Sequence, residues 1–254
     1  MQQQERIVTR QTLAAVLAAS DRAADGARAW FLDESRLRAA AQDGDQLLYE
    51  AERDILPPVR GIAEWRLDRV WYPADDLPTG ELNRSTGHWN GTDQWEVFQV
   101  DSGEVVIVVR APGPGRPIEL VRCAPGSVLP LPPGCWHLTY VWRGPAVVTN
   151  AYSVTADQPG PEVKYFTRRS VRCALRRAGS GVVVGRDPDG ERTDRDGAEP
   201  AQDGGDPIWR DAEQRARFDP LLPALEEVFA GDPDGRLLAR LEESYARLGQ
   251  RTGR

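Results

Sequence analysis

The chain has two histidines, His88 and His137, and each stands in a stretch whose other residues could join it around a metal ion. The first stretch is Thr86-Gly87-His88-Trp89-Asn90-Gly91-Thr92-Asp93-Gln94-Trp95-Glu96, with Gly103 further on. The second is Gly126-Ser127-Val128-Leu129-Pro130-Leu131-Pro132-Pro133-Gly134-Cys135-Trp136-His137. Residues two apart in a strand share a face, so His88 and Asn90 would look the same way. A turn at Gly91 to Asp93 would bring the chain back and set Glu96 on the neighbouring strand. The rigid Pro132-Pro133-Gly134 corner would deliver His137 from the opposite wall. Two imidazoles and a carboxylate suit Fe(II), Mn(II), Ni(II) or Zn(II) and leave positions open for a substrate. The Asn90 amide, a neutral oxygen donor, is a weaker fourth ligand and favours a harder ion such as Mn(II).

The elements that must position these residues are strands. Residues 60–73, 95–109, 118–122, 127–131, 138–142 and 146–154 are rich in Val, Leu, Ile, Tyr and Trp and are bounded by Gly or Pro. That texture predicts short strands at close spacing, hence a sandwich or barrel. Val171 to Arg176 and Gly181 to Gly185 are expected to pair as a hairpin about Gly179-Ser180. Ahead of the strands, Leu13, Val16 and Leu17, then Trp30, Leu37 and Ala40, recur at helical spacing with a break at Asp25-Gly26, which predicts two short helices in an N-terminal segment, residues 1–45. Residues 187–207 are mostly Asp, Glu, Arg, Gly and Pro, too polar to offset the entropy of ordering, and read as an acidic linker. Residues 208–254 carry Leu221, Leu225, Phe229, Leu237, Leu241 and Leu248 on apolar faces and are expected to be helical.

The formal charge of −7 argues against a general partner among nucleic acids or anionic membranes, because either would be repelled by that field. No apolar run of eighteen residues occurs, and the first twenty residues lack a basic then apolar leader pattern, so a cytoplasmic, soluble protein is expected. Cys123, Cys135 and Cys173 have no CxxC spacing and are odd in number, which predicts free thiols.

The second stretch resembles the second cupin motif, G-x5-P-x-G-x2-H, at every fixed position through His137, with Val141 where an Asn usually follows. The first resembles the first cupin motif, H-x-H-x3–4-E-x6-G, in His88, Glu96 and Gly103. It departs from that motif in having Asn90 for the second His and five residues before Glu96. The resemblance implies a mainly β fold, a cupin (jelly-roll-like) β-barrel over residues 46–186, flanked by N- and C-terminal helices. It also implies a metal site of His88, Asn90, Glu96 and His137, and the Asn90 change leaves a metal-free barrel as an alternative.

Among cupins, Leu48-Tyr49-Glu50, Ser85-Thr86-Gly87-His88, Pro132-Pro133-Gly134-Cys135-Trp136-His137 and Asn150-Ala151-Tyr152 resemble the pattern of the cupin-type glucose-6-phosphate isomerases, in which the first of these lies on a helix. That resemblance implies proton transfer through an enediol on a sugar phosphate or related polyhydroxylated molecule. Glu96 would be the base, with a metal-bound role as the competing assignment. Ser85, Thr86, Gly87 and Tyr152, and more loosely Tyr165, would bind substrate, and Arg84 or Arg143 could clamp a phosphate. Trp89, Trp95, Trp136 and Trp142 suggest a bulkier, aromatic mouth. A tailoring enzyme of specialised metabolism is therefore the alternative, either an iron-dependent oxygenase or a metal-free cyclase, dehydratase or epimerase. A non-enzymatic ligand-binding cupin is a further one. The expected partners are a small-molecule substrate and a second copy in a homodimer.

Overall fold

Apolar residues occupy both faces of Val105 to Val109, a pattern that only a strand covered on two sides can satisfy. In the computed structural model, which describes residues 7–23, 29–55, 59–60, 64–154, 170–179, 181–185, 207–212 and 239, that stretch lies within a strand of fifteen residues. The elements in chain order are β1 (Ile7–Thr12), α1 (Leu13–Asp21), α2 (Glu34–Asp43), β2 (Leu47–Arg53), β3 (Val59–Arg60), β4 (Glu64–Tyr72), β5 (His88–Trp89), β6 (Glu96–Arg110), β7 (Ile118–Cys123), β8 (Val128–Leu131), β9 (Trp136–Val154), β10 (Ala174–Ala178), β11 (Gly181–Gly185) and β12 (Ile208–Asp211). The described chain is mainly β and forms the expected cupin-type barrel.

The long antiparallel ribbon of β6 and β9 is its spine. One half of the ribbon, Glu96 to Val100 against Val148 to Tyr152, is flanked by β8 on one side and by β4, β2 and β1 on the other. The other half, Val105 to Arg110 against Trp136 to Val141, is flanked by β7 and β12 on one side and by β5 on the other. Between the halves the register shifts from Val100 to Val105, the irregularity that lets a strand bend from one sheet into another. Gly103 sits there at φ 71, and a Cβ on it would lie 2.5 Å from the Pro145 carbonyl oxygen, so glycine is required for the close approach of the two strands.

Val105, Ile107, Val109, Val121, Val141, Phe98, Val100, Leu129 and Leu131 fill the interior together with Tyr49, Val70 and Tyr72. The alternate residues Val106, Val108, Leu120, Trp136, Leu138 and Tyr140 face outward and are covered by Leu82, Val171, Cys173 and Leu175. The hairpin β10–β11 forms as expected, with Ala178 paired to Gly181.

Buried polar groups fasten this outer layer. Arg84 is ion-paired to Glu81 at 2.8 Å, and its guanidinium also donates to the carbonyls of Trp30, Ser85 and Thr86. Tyr140 Oη lies 2.6 Å from Glu81 Oε1, whose other oxygen accepts the Leu32 N–H.

Three expectations are corrected. The N-terminal segment contains α1 and α2, but it opens with a strand, β1, paired to β2. Leu48-Tyr49-Glu50 lies in β2, not on a helix, because pairing to both β1 and β4 decides its conformation. Ile208 to Asp211 is likewise a strand, since the exposed edge of β7 takes it up in parallel. The acidic linker up to residue 206 and the C-terminal helices, apart from residue 239, lie outside the described residues. No described helix is long and apolar enough to cross a membrane.

Candidate metal centre

His88 and His137 are direct cross-strand partners, His88 on β5 and His137 on β9, and their rings stand 4.3 Å apart edge to face. The Pro132-Pro133-Gly134 corner sets the start of β9, and Gly134 N–H donates to the Gly91 carbonyl, tying the corner to the turn that follows His88. Glu96 comes from the other half of the ribbon and lies 3.4 Å from the imidazole, Oε2 to Nε2. One potential ligand atom from each of His88, Glu96 and His137 falls within 4.8 Å of the others, three of the four residues expected from the motifs. The wall assignment is corrected: the neighbour of His88 is His137, while Glu96 pairs with Tyr152 of β9 and Leu131 of β8.

The donor set fits a divalent ion. A 3.4 Å gap between Glu96 and His137 exceeds a charge-assisted hydrogen bond. It matches the roughly 3.0–3.4 Å between two donors that share an ion at about 2.1 Å each. Asn90 lies just past His88, buried, with its N–H on the Cys135 carbonyl and its amide nitrogen 3.9 Å from Cys135 Sγ. Its Oδ1 is buried without a hydrogen-bond partner, an oxygen donor that nothing in the described protein satisfies. Burial first, and the nearby Glu96 charge second, push the Cys135 thiol far up, so it stays a neutral neighbour.

Phe98 packs against His137 with ring centroids 5.4 Å apart and makes the site's floor apolar. From Glu96 outward the same inner face turns polar. Asn150 Nδ2 donates to Glu96 Oε1 at 2.6 Å, and Tyr152 stands directly across from Glu96. On β4, Asp68 is opposite Asn150 and Arg66 opposite Tyr152. Arg53 pairs with the buried Asp68 at 2.6 Å, and Asp54 N–H donates to the same carboxylate. Asp54 adopts φ 50, places Oδ2 3.4 Å from Arg66, and keeps Oδ1 buried with no hydrogen-bond partner among the described residues. Burial raises the Asp54 carboxyl against the opposing pull of Arg66. Burial likewise raises the Tyr152 phenol, with Asp68 adding to it, so it remains a hydrogen-bond donor.

Of the substrate residues expected from sequence, Tyr152 is on this wall. Ser85 lies beside Thr139, one inward position along from His137, and its Oγ accepts the Thr139 N–H at 3.0 Å. Thr86 is buried. Gly87 has φ 76, and a Cβ there would lie 2.8 Å from the Trp136 ring, so packing alone accounts for the glycine. Tyr165 lies outside the described residues. Arg84 is buried in the Glu81 hub and offers no clamp, and Arg143 pairs with Glu104.

The expected aromatic mouth is corrected for three of its four tryptophans. Trp136, Trp89 and Trp142 belong to the outer layer, and Trp142 packs toward Trp209 and Arg122. The sequence reading missed Arg53, Asp54, Arg66, Asp68 and Asn150. Polar residues at alternate positions of otherwise apolar strands, Arg66 and Asp68, then Asn150 and Tyr152, are the signal that could have found them.

No family model matches the chain, and no curated protein does. Several solved structures match part of the chain at low identity. KdgF from a Halomonas species has 15% identity and TM-score 0.30, over 42% of this chain and 81% of that one. An oxalate decarboxylase of Bacillus subtilis, a protein with Mn(II) centres, has 9% identity and TM-score 0.32, over 43% of this chain and 26% of that one. An oxalate oxidase has 13% identity and TM-score 0.29, over 35% of this chain and 41% of that one. The matched part of this chain thus spans well under half the length of either oxalate enzyme.

Proposed function

We propose that this chain is a divalent-metal enzyme of the cupin type that acts on a small polyhydroxylated molecule, with aldose–ketose isomerisation of a sugar phosphate as the reaction class. The observation that carries this reading is the convergence of His88, Glu96 and His137 at the start of a polar wall inside an otherwise apolar barrel. His88, Glu96 and His137 would hold the ion, with Asn90 Oδ1 as the fourth donor. When bound, the ion supplies Lewis-acid polarisation of two adjacent substrate oxygens.

The remaining work falls to the wall. Tyr152 and Arg66 donate hydrogen bonds to substrate oxygens, and Ser85 lies across from them on the His137 side. Isomerisation removes a proton from C2 and returns it to C1, so it needs a carboxyl that can change state. Glu96 has one oxygen taken by Asn150 and the other turned to His137, which favours its role as ligand over its role as base. Asp68 is held by Arg53 and the Asp54 N–H. Asp54, with an unpartnered oxygen beside Tyr152 and Arg66, is the carboxyl suited to exchange the proton.

The test is proton NMR in D2O with Mn(II)-loaded protein and a panel of pentose and hexose phosphates and their free sugars. Wild type should exchange the C2 proton; Asp54→Asn should keep the metal and lose exchange by at least about 100-fold, in line with general acid–base catalysis. Normal exchange in Asp54→Asn would return the base role to Glu96. No exchange with any sugar would remove the isomerase.

A second reading rests on the ligand set itself. Two histidines and one carboxylate with open positions also form the triad of non-haem Fe(II) oxygenases. Dioxygen uptake that requires Fe(II) and both histidines, with no C2 exchange, would select it. Trp89, Trp136 and Trp142 do not support it, because they belong to the outer layer.

A further inference from the structure

Asn150 lies in a segment that resembles the isomerase pattern, but neither that resemblance nor the metal-ligand motifs give it a role. It projects from β9 into the barrel between two buried carboxylates, bonded to Glu96 on one side and opposite Asp68 on the other. Its register partner on β6 is Phe98, not Glu96, so the amide reaches diagonally across the ladder to make the 2.6 Å bond. A neutral hydrogen-bond donor suits that place. An acid would set three carboxylates side by side, and an apolar residue would leave Glu96 Oε1 without a donor in the described structure.

We propose that Asn150 is the positioning residue of the triad: it fastens Glu96 Oε1, so that only Oε2 is presented beside His137. A free carboxylate can rotate about its terminal torsion and offer either oxygen or both; the Asn150 donor removes that freedom before an ion arrives. Asn150 Oδ1 is buried and has no hydrogen-bond partner among the described residues, and it accepts a substrate hydroxyl at the junction between the metal ligands and the polar wall. This role rests on the metal reading of His88, Glu96 and His137.

The test uses the full chain and Mn(II) alone. Mn(II) dissociation constants are measured by competition with a chelator for wild type, Asn150→Leu, Asn150→Ala and His137→Ala, together with the melting temperature of each metal-free protein and the Mn(II) electron paramagnetic resonance line shape. Both Asn150 variants should bind Mn(II) about 10- to 100-fold more weakly than wild type, as loss of an outer partner does elsewhere. Their line shapes should change, and their metal-free melting temperatures should fall only modestly, since Glu96 Oε1 loses one donor. Asn150→Ala carries the comparison if leucine is not accommodated. Affinity within twofold of wild type in the folded variants, with an unchanged line shape, overturns the proposal even if the melting temperature falls. Wild type binding no more tightly than His137→Ala is a different result: it removes the metal site itself.

Discussion

Along the β6–β9 ladder His137 stands opposite Val109, thirteen positions from Glu96 on the same strand, yet its Nε2 lies 3.4 Å from Glu96 Oε2. A straight strand would separate those positions by about 43 Å at roughly 3.3 Å per residue. The ribbon therefore bends back on itself, and the His88–Glu96–His137 cluster is made by that bend. Local sequence supplies the three residues, but only the bent sheet brings them together.

Gly103 is the first place to test the bend. Its backbone is left-handed, and a methyl group would meet the Pro145 carbonyl at 2.5 Å and Ala146 at 2.8 Å. Gly103→Ala should lower unfolding free energy by about 2–4 kcal/mol, the range for strain at such a site. Urea denaturation checks this, and a loss under about 0.5 kcal/mol would show that the two strands need no such approach.

The ligand assignment makes an opposing pair of predictions. His88→Ala or His137→Ala should abolish stoichiometric binding of Mn(II), measured by elemental analysis after dialysis. Asn90→His, which places an imidazole where an amide oxygen is buried unsatisfied, should tighten Zn(II) binding by at least about tenfold and shift preference toward nitrogen-seeking ions. Unchanged metal content in the alanine variants would show the ion to be elsewhere.

The Arg84–Glu81 pair is predicted to be structural. Arg84→Met should cost about 3–5 kcal/mol, because Glu81 is left buried without the guanidinium it pairs with. Metal affinity in the folded fraction should be unchanged. Chemical denaturation together with Mn(II) titration separates this from a substrate clamp, which would leave stability intact.

The thiols give a pH prediction. Cys123 and Cys135 are buried and their pKa values pushed well up, chiefly by desolvation, so both remain protonated through the whole working range. Thiolate is the reactive form, so neither should react with a disulfide reagent between pH 7 and pH 9 in the native protein, while all three cysteines react in denaturant. Rapid native labelling of Cys135 would show that the corner next to Asn90 opens.

By itself the sequence determined the β texture, the hairpin about Gly179, the two N-terminal helices and the identity of the three converging residues, His88, Glu96 and His137. Those are local matters: side-chain alternation, turn residues and spacing set them within a few positions of the chain. It could not tell which face of a strand turns inward where both faces are apolar, as in Val105 to Val109, so the outward tryptophans 136 and 142 were read as candidates for the mouth. Nor could it show the polar wall, because Arg53, Asp68 and Asn150 come from three strands and meet only through the β2–β4–β9 pairing. Register is a property of two strands at once, and a one-residue slip would have put every one of those side chains on the other face.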